Sequence, residues 1–464
     1  MSARLEDRIE DNKAIVDKLP ELVSSLEKSY EKVSISLKLD EQWSCSRVGD
    51  ETTVSRPITT TGAVIRIFKD CEVKEFGTSS LNELEDIISA LRKEGNVKKG
   101  QPKEITDIKT FSYPFQTSAS DVSRNEKLAL LSRTAQLVKN DKVSLTKLHF
   151  KQEDSLHVFV GNGRHYTQRI PFSTLSLAIF VKANGRTESQ KTGARLPGGF
   201  EVVDKLITSD IVDKTIKQAL DLTRVEKLEA GMYDIVAAPE PASVIAHEAF
   251  GHGVEADMAL CDLSSAAKFM GHEVGSGLVS LVDEPAAGPT SGFYYFDDEG
   301  NLAQKTKLIE GGVLKGLISD ELSAKELNIN CSGNGRRVDY TRPVFSRMSC
   351  TYFDQGPHKA KELLSSLEKG LYLVGNSSGQ EDPLGWGMQV NAPLAYEVKK
   401  GKLTGRVFGP VVLTGYVPDI LKSISGVAAD LAFRGLGKCG KTFWKDWVNV
   451  GMGSPTIRFR GRLA

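Results

Sequence analysis

The sequence has few of the features that mark a secreted or membrane-bound protein. Its 464 residues include six cysteines without regular spacing, which is not the pattern of a disulfide framework. No run of 18 apolar residues occurs, so no membrane-spanning helix is predicted. Residues 1–13 are mostly polar and lack the apolar stretch of a signal peptide. Together these absences predict a protein of the cytoplasm with reduced thiols.

An excess of charge of either sign is also missing. Lysine plus arginine and aspartate plus glutamate number 60 each, so the formal net charge at pH 7 is zero. This balance gives no electrostatic reason to expect a nucleic-acid or membrane partner. Hydrophobic residues at 40% and charged residues at 26% are ordinary for a globular protein. A chain of this length predicts two or three domains rather than one core.

The first part of the chain alternates helical and strand patterns. Apolar residues recur at helical spacing in 4–30 and 80–93, and short β-rich runs occur at 33–39 and 62–68. These patterns predict an N-terminal α/β domain over residues 1–100. The polar and breaker-rich segment at 95–104 is the predicted linker that follows it.

A middle α+β domain is predicted over residues 101–225. Helical patterns cover 119–140 and 201–224. Between them, residues 143–170 have the pattern of a β-hairpin, because the turn-forming run Gly161-Asn162-Gly163 separates two alternating segments.

The final part of the chain is rich in glycine, since 31 of the 42 glycines lie in residues 201–464. Frequent turns favour short antiparallel strands. Residues 226–464 are therefore predicted to form a mostly antiparallel β domain, and the chain as a whole belongs to the α+β class. Within this domain, the apolar segment 233–239 predicts a buried strand, and Pro239 and Pro241 predict that a helix starts directly after it.

This helix runs into the string HEAFGHGVEAD at 247–257, which holds two of the chain's seven histidines. His247 and His252 are five residues apart, which is about 140° around an ideal helix, whereas the histidines of an HExxH zinc helix are four apart, about 40°. Both rings can face one ion if the helix contains a π-bulge or ends between them. The spacing therefore predicts an irregular helix between 247 and 252.

The residue types in this string suit a metal-assisted hydrolase. Imidazoles bind divalent ions, and an adjacent carboxylate can activate a metal-bound water, which makes Glu248 the candidate general base. A catalytic zinc site usually has three protein ligands and an open position. Residues that the sequence offers as the third ligand are Glu255, Asp257, His272, Glu273 and a cysteine. The alternative is a hydrogen-bonded helix face without a metal, because short motifs recur by chance.

Four stretches together resemble the TldD/PmbA family of metallopeptidases: HEAFGHGVEAD (247–257), KLIEGGVLKG (307–316), GNGRR (333–337) and GKCGK (437–441). They occur in the family's order and cover about the last half of the chain. The chain looks like the TldD branch, which keeps the H-E-x-x-x-H motif that the TldE/PmbA branch lacks.

The resemblance implies one Zn²⁺ per chain, held by His247, His252 and Cys439, with Glu248 as the base. The lysines beside Cys439 favour its thiolate form, and its flanking glycines let the backbone approach a metal. Glu255 and Asp257 belong to the same string and are candidates to orient the histidines, with a capping or surface role as the alternative.

Two further sets of residues are candidates for contact with a substrate. Arg336 and Arg337, in the GNGRR stretch, could meet a peptide carboxylate or backbone, and a plain turn with solvated arginines is the alternative. Gln380 and Asp382, which follow a glycine- and serine-rich run, are candidates to line the cleft.

The predicted activity is the hydrolysis of peptides or unfolded polypeptide segments. Members of the family enclose their site, so extended substrates are expected, bound by addition to a sheet edge. The resemblance also implies a dimer, either of two copies or with a TldE/PmbA-type subunit. The alternative is a non-catalytic regulatory or partner subunit, because the PmbA branch has been described as a modulator of DNA gyrase. The complete His-Glu-His-Cys set argues for the enzyme, since a structural subunit does not need it.

Overall fold

The computed structural model describes residues 4–69, 72–95, 101–441 and 446–464. Cys71 and residues 96–100 of the predicted linker lie outside these ranges. The α-helices of the described residues are α1 Leu5–Asp11, α2 Lys13–Glu27, α3 Leu84–Glu94, α4 Arg124–Ala135, α5 Ser209–Leu222, α6 Pro239–Glu248, α7 Ala256–Leu260, α8 Glu321–Glu326, α9 Ala360–Ser365 and α10 Val417–Lys422. Short 3₁₀ helices cover Leu81–Glu83, Ala119–Asp121, Phe200–Lys205 and Ala266–Phe269.

The strands fall into two groups along the chain. The first group is β1 Lys32–Val48, β2 Glu51–Val54, β3 Ile58–Lys69, β4 Glu72–Thr78, β5 Asp107–Ser112, β6 Val143–Gly161, β7 Arg164–Arg169, β8 Phe172–Ala183 and β9 Arg186–Pro197. The second group is β10 Gly231–Ala237, β11 Leu281–Asp283, β12 Thr306–Glu310, β13 Val313–Leu314, β14 Gly335–Arg336, β15 Phe345–Ser346, β16 Cys350–Phe353, β17 Lys369–Val374, β18 Ser378–Asp382, β19 Gly387–Ala392, β20 Leu394–Lys399, β21 Lys402–Phe408, β22 Val411–Tyr416, β23 Gly426–Val427, β24 Ala432–Arg434, β25 Lys438–Lys441, β26 Asp446–Asn449, β27 Gly451–Ser454 and β28 Ile457–Leu463.

The first group forms one nine-stranded sheet in the order β4-β3-β1-β6-β7-β5, with β2 paired to β1, β8 to β6 and β9 to β8. Strands β1 and β6 pair antiparallel, from Ser34 opposite Gly161 to Val48 opposite Lys147. A single sheet therefore draws strands from both sides of residue 100. The divisions of the chain at residues 100 and 225 stay predictions.

The length of β1 and β6 lets them carry two separate groups of helices. Apolar residues of α1, α2 and α3 pack against the stretch 33–39 of β1. Helices α4 and α5 pack near Trp43 and Cys45, further along the same strand. The predicted hairpin is confirmed, because Asn162 and Gly163 have φ of 54° and 76° between β6 and β7, which is the geometry of a type I′ turn.

The second group builds two larger sheets. One has the order β18-β19-β22-β28-β10-β17-β20-β21 with β23 beside β28, and the other has the order β13-β12-β11-β16-β27-β24. Most neighbours are antiparallel, whereas β10–β17 and β16–β27 are parallel pairs. Two small sheets, β14-β15 and β25-β26, complete the group. The predicted α+β class with a mostly antiparallel final part is confirmed.

Helix α6 lies between the two larger sheets. It follows β10 directly, with Pro239 at its first position, where a missing N–H costs no hydrogen bond. It packs against β16, β24 and β27 on one side and β18 and β19 on the other. Residues Pro241–Glu248 are all buried, as expected for a helix covered on every face. The C-terminal end of α6 therefore lies in the interior of the protein, between two sheets.

No helix in the described part of the chain is both long and apolar enough to cross a bilayer.

Candidate metal centre

The helix that carries the histidine motif ends between its two histidines. Helix α6 stops at Glu248, because Ala249 has φ −85° and ψ 89° and Phe250 has φ 81°. The predicted irregularity between 247 and 252 is thus confirmed, in the form of a helix end rather than a bulge. The chain turns back at once, and the two imidazole rings lie 5.5 Å apart between centroids, at 81° to each other.

Tight packing fixes the turn that follows the helix. The ring of Phe250 packs on Trp386 with centroids 4.8 Å apart, which offsets the strain of its left-handed backbone. At Gly251, a Cβ atom would overlap the carbonyl oxygen of His247 and the sulfur of Met348. Glycine is therefore required at this position for the backbone to pass so close to the helix end.

The turn and the distant strand β25 bring three potential metal ligands together. One donor atom each from His247, His252 and Cys439 lies within 4.8 Å of the other two. Cys439 Sγ is 3.3 Å from His252 Nε2. Among the described residues, this is the cluster of donors with metal-ligand spacing, and neither His272 nor Glu273 belongs to it.

The donor set fits a divalent ion of the zinc type. With the usual Zn–N and Zn–S lengths, tetrahedral geometry places ligand atoms about 3.5 Å apart, which is close to the 3.3 Å between Cys439 Sγ and His252 Nε2. His247 Nδ1 is buried and has no hydrogen-bond partner among the residues that the structure describes. Two imidazoles and a thiolate leave one position open, which is the arrangement of a catalytic rather than a structural site.

The charges of the cluster favour the thiolate form of the cysteine. Burial opposes a thiolate, but His252 and His247 outweigh it and hold the pKa of Cys439 well below its ordinary value. Burial likewise opposes an imidazolium, yet Cys439 and Glu255 raise the pKa of His252 well above its ordinary value. Thiolate is the form of cysteine that binds metals.

A chain of ion pairs holds His252 from behind. Its Nδ1–H donates to Glu255 over 3.1 Å, and Glu255 also lies 3.1 Å from Lys441 Nζ and 3.7 Å from Arg347 Nε. Burial disfavours the carboxylate, but Lys441 and His252 lower the pKa of Glu255 to about 2. Asp257 accepts from Lys441 Nζ over 2.6 Å. Glu255 thus contacts a histidine directly, whereas Asp257 supports it through Lys441.

Two buried carboxyl groups stand beside the cluster. Glu248 lines the cavity described below, and no hydrogen bond to its carboxyl group occurs within the part of the chain that the structure describes. Burial raises its pKa, and the nearby histidines partly offset this effect. Glu381 Oε2 accepts from the backbone N–H groups of His252 and Gly253, over 3.0 and 3.1 Å. Burial raises the pKa of Glu381 to about 8.

A cavity of about 1270 Å³ opens onto the cluster. Part of its wall belongs to the first sheet and is formed by Arg66, Val73 and Glu75. Apolar residues of the second half cover other parts, namely Val244, Met258, Leu260, Leu263, Phe345, Leu436, Trp447 and Met452. Strand β18 is the outermost strand of its sheet, and residues 378–381 line the cavity. In the part of the chain that the structure describes, the outer edge of β18 is therefore unpaired, and it runs past the cluster.

The four residues predicted to contact a substrate have different surroundings. Gln380 lines the cavity. Asp382 is exposed and accepts from the N–H of Leu384 in a turn, outside the cavity lining. Arg336 donates to backbone carbonyls of Met348 and Asn449, and Arg337 pairs with Glu75. Both arginines are thus bound to the protein itself, and both line a separate cavity of about 140 Å³.

Two residues near the cluster escaped the sequence-based prediction. Glu381 lies between the two polar residues that were singled out, and strand alternation turns it inward while Gln380 and Asp382 are exposed. The polar residues of β18 indicate no inner face in the sequence, so the inward side chain of Glu381 becomes visible only in the structure. Arg434 also lines the cavity, five residues before Cys439, and its sequence context carries no comparable signal.

Fold and site together define a mixed α+β protein with a two-histidine, one-cysteine centre in a large cavity. The family model for the PmbA/TldA metallopeptidase C-terminal domain matches residues 230–462. A metalloprotease of Methanothermobacter thermautotrophicus is 30% identical over 399 residues, which cover 84% of each chain. The chain belongs to this family of metallopeptidases.

Other relatives and solved structures agree with this assignment. A zinc metalloprotease TldD homolog of Saccharolobus solfataricus is 25% identical over 73% of this chain and 76% of its own. A candidate modulator of DNA gyrase from Thermotoga maritima has a TM-score of 0.76 at 17% identity, covering 97% of this chain and all of its own. TldE from Thermococcus kodakarensis has a TM-score of 0.73 at 16% identity, over 96% and 99% of the two chains. At these identities the two structures bear on the fold alone.

Proposed function

We propose that the protein is a zinc-dependent metallopeptidase that cleaves peptides or unfolded polypeptide segments. The observation that carries the proposal is the meeting of His247, His252 and Cys439 within 4.8 Å at a cavity that Glu248 also lines. The name of the Saccharolobus solfataricus relative supports zinc as the metal, and the cluster of three donors found among the described residues would hold one ion per chain. The same proposal assigns the enzyme to the cytoplasm, in agreement with its scattered cysteines.

Each residue of the centre has a separate task. His247, His252 and Cys439 would hold the ion, which when bound supplies Lewis acidity for a water molecule and a substrate carbonyl. Glu248 takes a proton from water and gives it to the leaving amine. Glu255 fixes the ring of His252 through Nδ1, and Asp257 holds Lys441 in place beside Glu255.

The cavity favours an extended substrate. The free edge of β18 offers backbone N–H and C=O groups to a peptide strand, which binds by adding to the sheet. Gly379 of this strand packs against the side chain of Glu248, so a peptide on this edge passes the general base. A folded domain of 100 residues has a radius of gyration of about 13 Å and does not fit into such a cavity.

The test is the variant Glu248→Gln, which keeps the size of the side chain but cannot take a proton. We expect cleavage of an unfolded-peptide library to fall by about 10²- to 10⁴-fold while the zinc content stays the same. Glu326→Gln, at an exposed glutamate of α8, is the matched control and should cleave normally. An unchanged turnover number in Glu248→Gln would reject the role of Glu248 as base.

A second candidate function is that of a non-catalytic regulatory or partner subunit. The names of two proteins with the same fold, TldE and a candidate gyrase modulator, suggest this alternative, since neither name states a peptidase activity. Metal analysis of the purified protein separates the two functions. Absence of zinc, together with no gain of cleavage when zinc is added, would support the partner subunit.

The assembly is also part of the proposal. The likeness to TldE is consistent with a complex between this chain and a TldE/PmbA-type subunit, and a homodimer is the simpler arrangement. Light scattering of the purified chain, alone and with such a subunit, distinguishes these states.

A further inference from the structure

The cavity holds an arginine, Arg434, that has no acidic partner within 4 Å among the residues that the structure describes. We infer that Arg434 is a carboxylate-binding subsite, which selects peptides that carry a negative group near the bond to be cleaved. This inference rests on the proposed peptidase function and adds to it the class of substrate. It concerns a residue outside the metal cluster and apart from Glu248.

The hydrogen bonds of Arg434 leave much of its guanidinium free. It is the last residue of β24, and it donates from Nη1 to the carbonyl of Ser377 over 3.1 Å and from Nη2 to the side-chain oxygen of Asn376. A guanidinium has five N–H groups, so within the described ranges three remain after these two bonds. Both acceptors are neutral, and they orient the side chain without cancelling its charge.

Acidic groups near Arg434 are already engaged elsewhere. Within the described ranges, no carboxylate lies within 4 Å of it. Glu240, the carboxylate that influences it electrostatically, is paired with Lys214. The contrast with Lys441, which also lines the cavity, is clear, because Lys441 is paired with two carboxylates. Arg434 is thus a cavity cation that remains available to an anionic ligand.

Arg434 lies beside the start of β18, the strand along which a peptide substrate is proposed to bind. Ser377, which accepts its hydrogen bond, directly precedes β18, and Gly379 of that strand packs on Glu248. Two residues of a strand span about 7 Å. A peptide lying along β18 therefore brings a group one or two residues from the cleaved bond to the guanidinium.

The chemistry of the guanidinium defines the group that it selects. Arginine binds carboxylates through two parallel hydrogen bonds, a geometry that a neutral amide cannot match. Lys438 is exposed on the same cavity wall and adds positive potential. Two parts of a peptide supply such a group, the C-terminal carboxylate and the side chain of Asp or Glu. Both are the same chemistry, and experiment separates them.

The experiment compares matched peptides that differ in one carboxylate. A cleaved peptide is first mapped by mass spectrometry and is then shortened to end one, two or three residues from the cut, as the acid and as the amide. A longer version carries Glu or Gln at the same position. We expect wild type to prefer acid over amide, or Glu over Gln, by about 10- to 100-fold in kcat/KM. In Arg434→Gln the ratio should fall close to one.

Ratios rather than absolute rates decide the outcome. If Arg434 serves only to hold Asn376 and Ser377, its loss lowers the rates for acid and amide equally, and an unchanged ratio overturns the inference. Arg406→Gln, at an exposed arginine paired with Glu226, is the matched control and should keep the wild-type ratio. Equal rates for acid and amide in wild type would refute the inference even if Arg434→Gln does not fold.

A binding measurement makes this test independent of turnover. The acid and amide peptides are titrated into the zinc-loaded Glu248→Gln protein, with and without Arg434→Gln. Tighter binding of the acid that disappears without Arg434 supports the subsite, and equal binding refutes it. Failure of all cleavage in wild type would instead count against the proposed function, because the binding result does not depend on catalysis.

Discussion

Replacing Glu255 by glutamine should weaken both the fold and the metal centre. The carboxylate is fully buried and lies between His252, Lys441 and Arg347. The amide oxygen of glutamine can still accept one hydrogen bond, but its charge is gone. Removing one partner of a buried ion pair costs about 3–5 kcal/mol, because the remaining charge is left without compensation. Since Lys441 keeps its bond to Asp257, the low end of that range, about 3 kcal/mol, is expected.

The same substitution changes the histidine that faces the proposed ion. His252 loses the charged acceptor at Nδ1, which fixes the ring and increases the basicity of Nε2. Loss of such a partner typically lowers metal affinity by about 10- to 100-fold. Chemical denaturation of the protein after its metal has been removed with a chelator measures the change in the free energy of unfolding. Competition with a chelating dye measures the zinc affinity. Glu326→Gln is again the control at an exposed site. Zinc affinity within twofold of wild type, in a folded Glu255→Gln protein, would refute the role given to Glu255.

Two further predictions concern the backbone near the centre and the response to pH. Gly251→Ala should destabilise the protein by about 1–3 kcal/mol and lower its zinc affinity, because a Cβ at this position overlaps the end of α6. The control is Gly277→Ala, where a Cβ meets nothing within 4 Å and should change neither property. Equal zinc affinity in the two variants would contradict the requirement for glycine at position 251. Burial lowers the pKa of His157 from 6.5 to about 3. Below pH 6.5 the unfolded chain therefore binds a proton that the folded chain does not. The free energy of unfolding then decreases by about 1.4 kcal/mol for each unit by which the pH is lowered. His157→Gln should lose this part of the slope between pH 6 and 4.5 in denaturation measurements, and equal slopes would show that His157 is not responsible.

Features that depend on neighbouring residues were predictable from the sequence. The turn at Asn162-Gly163 follows from the need for two positive φ angles in a tight hairpin. An irregularity of α6 between His247 and His252 follows from a five-residue spacing that a regular helix cannot bring to one side, whereas its form, a helix end rather than a π-bulge, comes from the structure. Both arguments use backbone geometry over a few residues, and tertiary packing does not override them.

Features that depend on distant pairing were not predictable in the same way. Spacing alone left several third ligands open, and the resemblance to a family singled out Cys439. The pairing of β1 with β6 joins residues that are 99 to 127 positions apart in the chain, which no local pattern indicates. Arg336 and Arg337 show the same limit, because an arginine in a glycine-rich turn looks available until the carbonyl and carboxylate partners that bind it are known.

Strand β18 contains Glu381, whose side chain turns inward but was not among the residues that the sequence singled out. Its neighbours Gln380 and Asp382 have the same polar character, and the sequence does not say which face of β18 is inside. The answer comes from the packing of β18 against α6, which is a contact between elements 130 residues apart in the chain. The contact of Glu381 with the turn after α6 is therefore visible only in the structure.

The separation of the proposed ligands along the chain has a consequence for biosynthesis. Cys439 lies 187 residues after His252. Ribosomes add about 5–20 residues per second, so a growing chain carries both histidines and Glu248 for roughly 10–40 s before its cysteine exists. During that interval the last part of the growing polypeptide is still unfolded and is of the class of substrate proposed for the enzyme. If the proposed function holds, nascent chains lack a complete metal site during this interval and cannot cleave one another.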